Sequence, residues 1–333
     1  MALVTHELVP LGDKGRWQEA LEHIPHAPAH THDHVLAFQA SSPDPHVLYV
    51  CRNGLGEVEA ACPLAIREDS APDVYTPYGF GGFASRRSLP WFAAEWGRFA
   101  EGRGWVTSYI AMNPLLDNDL GFPQAVTKHA QDLFILDLRP DLESIKRAMS
   151  RSRRAALARW DQAPSTITWE KSRVLDFVRQ EAAAHFARRS AVSTYSFRDE
   201  TWELLLASPT VMAVAVTQKN GLSACCIVGM TEGSADYLFG IPRPGGERHA
   251  APLLWEAIKA LRATGVQTLN LGGGIRADDG VGEFKRRFGA RGVPMTTLQL
   301  VHDRERYARL SAESETVPEV GRTFFPSYRM KVR

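Results

Sequence analysis

One order of elements occurs twice along this 333-residue chain, and that repeat constrains the fold more than any other feature. In the first half the apolar run Val47–Cys51 leads to Asn53-Gly54 and then to a second apolar run, Ala60–Ile66. In the second half Val211–Val216 leads to Asn220-Gly221 and Leu222–Val228, with the two Asn-Gly pairs 167 residues apart. Asn-Gly between apolar runs predicts a β-hairpin, because both residues tolerate positive φ. The aromatic-glycine segment Tyr75–Gly82, a helix over about 88–103 and a strand at Trp105–Ile110 follow the first hairpin. Asp236–Gly240, a helix near Pro252–Ala263 and a strand at Thr268–Leu271 follow the second. Leu254, Ile258 and Leu261 share one face of that helix, Pro252 suits its first turn and Gly265 its stop. Hairpin, strand, helix, strand therefore recurs, as in a duplicated domain. Two unrelated α/β halves with shared turn chemistry would give the same order. The length suits two domains of roughly 150 residues; the expected division is 1–140 and 141–333.

The segment between the halves differs from both. Residues 141–161 read as one helix with an apolar stripe of Leu142, Ile145, Met149 and Ala156. Between Lys146 and Arg159 it carries six basic residues and no acidic ones. Arg147, Arg151 and Arg154 have i, i+4, i+7 spacing and are expected on one face. Like charges along one face are mildly destabilising unless something neutralises them. Phosphates would do so, and so would acidic neighbours elsewhere in the fold. With 39 Lys and Arg against 38 Asp and Glu, the chain as a whole is not a polycation, so nucleic-acid affinity would come from a local patch.

Near the end of the second half stand Leu269-Asn-Leu-Gly-Gly-Gly274 and Gly280-Val-Gly-Glu-Phe-Lys-Arg-Arg-Phe-Gly289. A strand ending in glycines, followed by a short helix with Phe-Lys-x-x-Phe-Gly, resembles the Fem-type aminoacyl-tRNA-dependent peptidyl transferases, part of the wider GNAT-like acyltransferases. Pro77-Tyr-Gly-Phe-Gly-Gly82 and the basic helix are similar to that family's corresponding segments. The resemblance covers most of the chain, without the long helical-hairpin insertion of some Fem proteins. It implies an α/β (α+β) fold of two tandem GNAT-like domains, each a mixed, mostly antiparallel sheet flanked by helices. It also implies transfer of an amino acid from aminoacyl-tRNA to an amine, of a cell-wall (peptidoglycan) precursor or of a small natural product as in antibiotic biosynthesis. No cofactor is expected beyond aminoacyl-tRNA as co-substrate, and no metal.

An aminoacyl ester is already activated, so positioning and charge stabilisation suffice, and no Gly-x-Ser-x-Gly elbow is present. Lys285 is the candidate catalytic cation, at the edge of the face formed by Val281, Phe284 and Phe288; the plain reading makes it a surface charge. By the resemblance, Phe284 and Lys285 meet the charged end of the tRNA, with Arg286, Arg147, Arg151 and Arg154 on its phosphates. Gly272, Gly273 and Gly274 would admit substrate close to the backbone. Tyr75, Tyr78 and Phe80 are candidates for an acceptor pocket in the first half, or else ordinary core aromatics.

His26, His30, His32 and His34 crowd one segment, but Pro25 and Pro28 interrupt it, and surface or capping roles are expected rather than metal binding. Cys51, Cys62, Cys225 and Cys226 lack ligand spacing and read as buried thiols. Neither a signal peptide nor an 18-residue apolar run is evident, so a cytoplasmic monomer or homodimer is expected. Two other functions fit. One is a coenzyme A-dependent acyltransferase, although Arg243-Pro-Gly-Gly-Glu-Arg248 misses the last glycine of a pyrophosphate-binding loop. The other is a tRNA- or nucleotide-binding module without chemistry.

Overall fold

The computed structural model describes residues 4–116, 118–162, 165–188, 195–274, 280–314 and 324–330. The first elements are strand β1 (Thr5–Pro10), helices α1 (Lys14–Leu21) and α2 (His32–Gln39), and strands β2 (His46–Arg52), β3 (Val58–Arg67), β4 (Asp73–Tyr75) and β5 (Ala84–Ser85). Helix α3 (Phe92–Gly102), strands β6 (Thr107–Met112) and β7 (Thr127–Asp137), helices α4 (Leu142–Ala148) and α5 (Arg151–Gln162), strand β8 (Ile167–Thr168) and helices α6 (Lys171–Arg188) and α7 (Asp199–Ala207) follow. The chain continues through β9 (Val211–Gln218), β10 (Gly221–Met230), β11 (Ser234–Pro242), α8 (Ala250–Ala263), β12 (Thr268–Gly273), α9 (Gly280–Arg286), β13 (Arg291–Val301) and α10 (Arg304–Glu313).

These elements form two compact units. The first holds residues 1–35, 42–130 and 295–333, with strands in the order β1-β2-β3-β4-β6-β13 and β5 on β3. The second holds 36–41 and 131–294, in the order β8-β9-β10-β11-β12-β7. Pairing is antiparallel except at β4–β6 and β11–β12, each bridged by a helix. The expected plan, a mixed, mostly antiparallel sheet flanked by helices, is thus present twice.

The units do not divide at 140/141. The strand that follows β6, β7, pairs with β12, and the strand that follows β12, β13, pairs with β6. Each of β6 and β12 would otherwise leave a row of backbone donors and acceptors unpaired, and each is covered by the strand that follows its counterpart. Periodicity cannot reveal such an exchange, because the strand pattern is the same on either sheet.

Two other differences are local. The second hairpin turns at Lys219–Asn220, since Gln218 pairs with Gly221, and Gly221 opens β10 at φ +100°. The first hairpin has a longer loop, where Asn53 Oδ1 accepts from the N–H groups of Leu55 and Glu57. Residues 141–161 form two helices, not one. Met149 is buried in an extended conformation that ends α4, and Ser150 Oγ accepts from Arg153 N at the start of α5.

The core of the second unit joins Ile145, Met149, Leu157 and Trp160 to Leu254, Ile258 and Leu261 of α8 and to Ala235, Leu269 and Leu271 of the sheet. In the first unit Val74 and Ile110 pack with Phe92 and Trp96 of α3. All four cysteines are buried free thiols. Among the described residues no helix is long and apolar enough to cross a membrane.

Candidate active site

In the second unit, strands β11 and β12 run parallel for only three residues, ending at Asp236 opposite Asn270. Beyond that pair β11 continues to Pro242 and β12 to Gly273 without pairing to each other. An opening between two strands therefore starts at these two side chains. Because Ala235, Leu269 and Leu271 face the α8 side, alternation places Asp236 and Asn270 on the opposite face.

Both are buried, at 2% and 0% exposure. Asn270 Nδ2 donates to Asp236 Oδ1 at 3.0 Å, and Asn270 Oδ1 accepts from Gly272 N at 2.8 Å. Asp236 Oδ2 has no hydrogen-bond partner among the described residues. Burial pushes the Asp236 carboxyl up to about 7, against the lowering effect of the Asn270 bond.

The glycine run is built around this pair. Gly272 has φ +77°, which the turn over Asn270 requires. A Cβ at Gly273 would fall 2.2 Å from Gln131 Oε1, so the side chain of Gln131 occupies that place. Gly274 follows the end of β12 and is half-buried.

Lys285 lies on α9 and is buried, at 6% exposure, rather than on the surface. Its Nζ donates to the carbonyl of Gly273 and stands 5.9 Å from the ring centre of Phe134. Lys285, Gly273, Gly272, Asn270 and Asp236 therefore form one connected polar path at the mouth of the strand opening. Arg286 is exposed, lies 5.2 Å from the Phe134 ring centre and pairs with Glu283 at 3.6 Å.

Phe284 packs on the unit's core and on Phe288, with ring centres 5.4 Å apart. Arg153 covers both rings, 4.6 Å and 4.5 Å from their centres. One face of Phe284 is thus occupied by the chain itself. Burial, with Arg287 nearby, pulls the Arg153 guanidinium down to about 10. We expect Arg153→Ala to lower the unfolding free energy by about 2 kcal/mol in urea titration, with Arg153→Lys restoring only part, because a planar cation fits between two rings as an ammonium does not.

Arg147, Arg151 and Arg154 do not line one helix face, because the helix breaks between them. Arg147 and Arg151 are exposed. Arg154 donates to the carbonyls of Arg147 and Met149, the last acceptors of α4. Its charge closes the break rather than extending a row.

Tyr75, Tyr78 and Phe80 belong to the first unit. Tyr75 Oη donates to Asp44 Oδ2 at 2.6 Å under the Arg67 guanidinium, 4.0 Å from the ring centre. Burial and then Asp44 push its hydroxyl up to about 12. The carbonyls of Tyr78, Phe80 and Gly82 accept from His34, Asn113 and His30. His30 and His34 are therefore buried clamps on this segment, and His32, bonded to the Leu11 carbonyl, is buried as well, so none of the three is a surface residue. Burial draws His30 down to about 3 and His34 to about 4, so both stay neutral donors.

Sequence reasoning missed Asp236, Asn270 and Arg153. Two of them carried a signal: each is a lone polar residue inside an apolar strand, Asp236 before Tyr-Leu-Phe and Asn270 between two leucines. Arg153 carried none, being one cation among six.

No protein-family model matches the chain, and no curated protein matches it in sequence. Solved structures do share its fold. FemX superposes with a TM-score of 0.67 at 10% identity, covering 89% of this chain and 97% of its own. A conserved protein of unknown function from Bacteroides thetaiotaomicron gives 0.60 at 8% identity, over 90% and 100%. L-PGS from Bacillus licheniformis gives 0.59 at 14% identity, over 90% and 95%. At these identities the likeness concerns the fold, and the Fem-type resemblance of the motifs is met at that level.

Proposed function

We propose that the chain is an aminoacyl-tRNA-dependent transferase that forms an amide bond between a tRNA-borne amino acid and the amine of a small acceptor. The observation that carries this reading is the buried Lys285 ammonium at the glycine-lined strand opening. In the reaction an unprotonated amine attacks the ester carbonyl, the C–N bond forms, and the C–O bond to the tRNA ribose breaks. The amine proton leaves and the ribose hydroxyl gains one. Lys285 stabilises the charge that develops on the carbonyl oxygen, and the low exposure around it strengthens that effect. Arg147, Arg151 and Arg286, all exposed, contact phosphates in this reading. Phe284 offers the charged end the ring surface that Arg153 leaves open. No cofactor takes part. The aromatic-glycine segment of the first unit, with Tyr75, Tyr78 and Phe80, is the proposed acceptor side.

One observation disfavours coenzyme A as donor. A pyrophosphate cradle before α8 needs free backbone N–H groups. Here those of Arg243, Gly246 and His249 already donate to Ser223, Arg243 and Gly246 carbonyls.

The test is incubation with a mixture of charged tRNAs and candidate amines, followed by mass analysis for new amides. New amides that disappear when the tRNA is deacylated first support the proposal. Acylation from acetyl-CoA without tRNA would overturn it.

A further inference from the structure

We infer that Asp236 holds the free α-ammonium of the amino acid being transferred, making the site selective for donors with an unblocked amine. This deepens the proposed function and rests on it.

The fold itself does not ask for a carboxylate at this place. Val74 and Ala235 occupy equivalent core positions 161 residues apart, and both parallel strand pairs keep the same register. That spacing sets Asp236 against Tyr75 and Asn270 against Tyr109. The first unit thus closes its parallel pairing with two tyrosines, and the Tyr75 hydroxyl is bonded to Asp44. The second unit, built on the same plan, buries a carboxylate whose one described partner is a neutral amide.

Such a group is costly to bury unless something pairs with it. No cation among the described residues does so, and Oδ2 is left without a partner. It stands where β11 and β12 stop pairing, at the end of the polar path that leads to Lys285. In an aminoacyl ester the ammonium is one carbon from the carbonyl. A site that gives the carbonyl oxygen a cation and the neighbouring nitrogen an anion matches that polarity. An acetyl or fatty acyl group offers nothing to the anion.

The experiment uses the full chain and unfractionated tRNA charged with radiolabelled amino acids. Half of it has its α-amines acetylated with acetic anhydride. Retention on nitrocellulose filters is measured for the wild type and for Asp236→Asn. Acetylation is expected to weaken wild-type binding by about tenfold or more, the scale of one charge-assisted hydrogen bond. In Asp236→Asn the ratio between free and acetylated forms should approach one. Equal binding of both forms by the wild type overturns the inference and leaves the tRNA reading standing. A preference that survives in the variant also overturns it, as does slower transfer with the preference unchanged, which would make Asp236 a proton acceptor for the acceptor amine. Retention of neither form, with acetyl-CoA bound instead, removes the tRNA reading and this inference with it. Should the variant fail to fold, the wild-type comparison decides alone.

Discussion

Under the proposed function, replacing Lys285 with Met is expected to lower turnover on charged tRNA and amine by about 100-fold or more, while tRNA retention changes by less than about threefold. Methionine fills a similar volume and keeps the apolar stem in place. It cannot donate to the Gly273 carbonyl, nor to a carbonyl oxygen gaining charge. Removing one preorganised donor of this kind typically costs about 3–4 kcal/mol of transition-state stabilisation. Loss of the Gly273 bond also costs about 1–3 kcal/mol of stability, so a thermal melt of the variant accompanies the kinetics. A folded Lys285→Met protein with wild-type turnover would remove Lys285 from the chemistry. A folded variant whose tRNA retention collapses would make it a binding residue instead.

The second large effect is on stability against pH. The ordinary aspartate value is 3.8, and burial raises Asp236 to about 7 in the folded chain. Below the ordinary value both states hold the proton and burial adds no pH-dependent cost. Between the two values the unfolded chain releases the proton while the folded chain keeps it, so stability falls as pH rises. Above about 7 the loss is complete, amounting to about 4 kcal/mol for a difference of this size. Asp236→Asn cannot ionise. Urea titrations at pH 4.5 and pH 8 should therefore show the wild type losing several kcal/mol relative to the variant. The buried histidines act in the opposite direction: His30 and His34 cost stability as pH falls below their ordinary value. They are common to both proteins and cancel in the difference. Parallel pH profiles for the two proteins would mean that Asp236 ionises freely and that its partnerless oxygen is solvated.

Much of the plan was legible in the residues. The hairpins, strands β6, β11 and β12 and helices α3 and α8 lie where hydrophobic period, Asn-Gly and Pro/Gly punctuation put them, within a few residues. Lys285 and the glycine run were legible as motifs, but the burial of Lys285 was not, since spacing alone equally allows a surface position. Charge spacing does not show where a helix stops, and the basic segment is broken by the extended Met149 and the Ser150 cap. Asp236 and Asn270 each interrupt an apolar strand, but nothing in the sequence shows that the two side chains meet, 34 residues apart.

By itself the sequence determined the two hairpins, the helix and strand that follow each of them, and that these elements come in two sets. These properties follow from local propensity and from burial with period 2 or 3.6, both written into neighbouring residues. Only the tertiary structure decided that β7 completes the sheet of the second unit and β13 that of the first, that Arg154 closes a helix end, and that a carboxylate, an amide, two glycines and an ammonium meet along one path. The strand pairings and the Asp236–Asn270 bond join residues far apart in the chain, and what selects them is the need to satisfy every buried donor and acceptor at once.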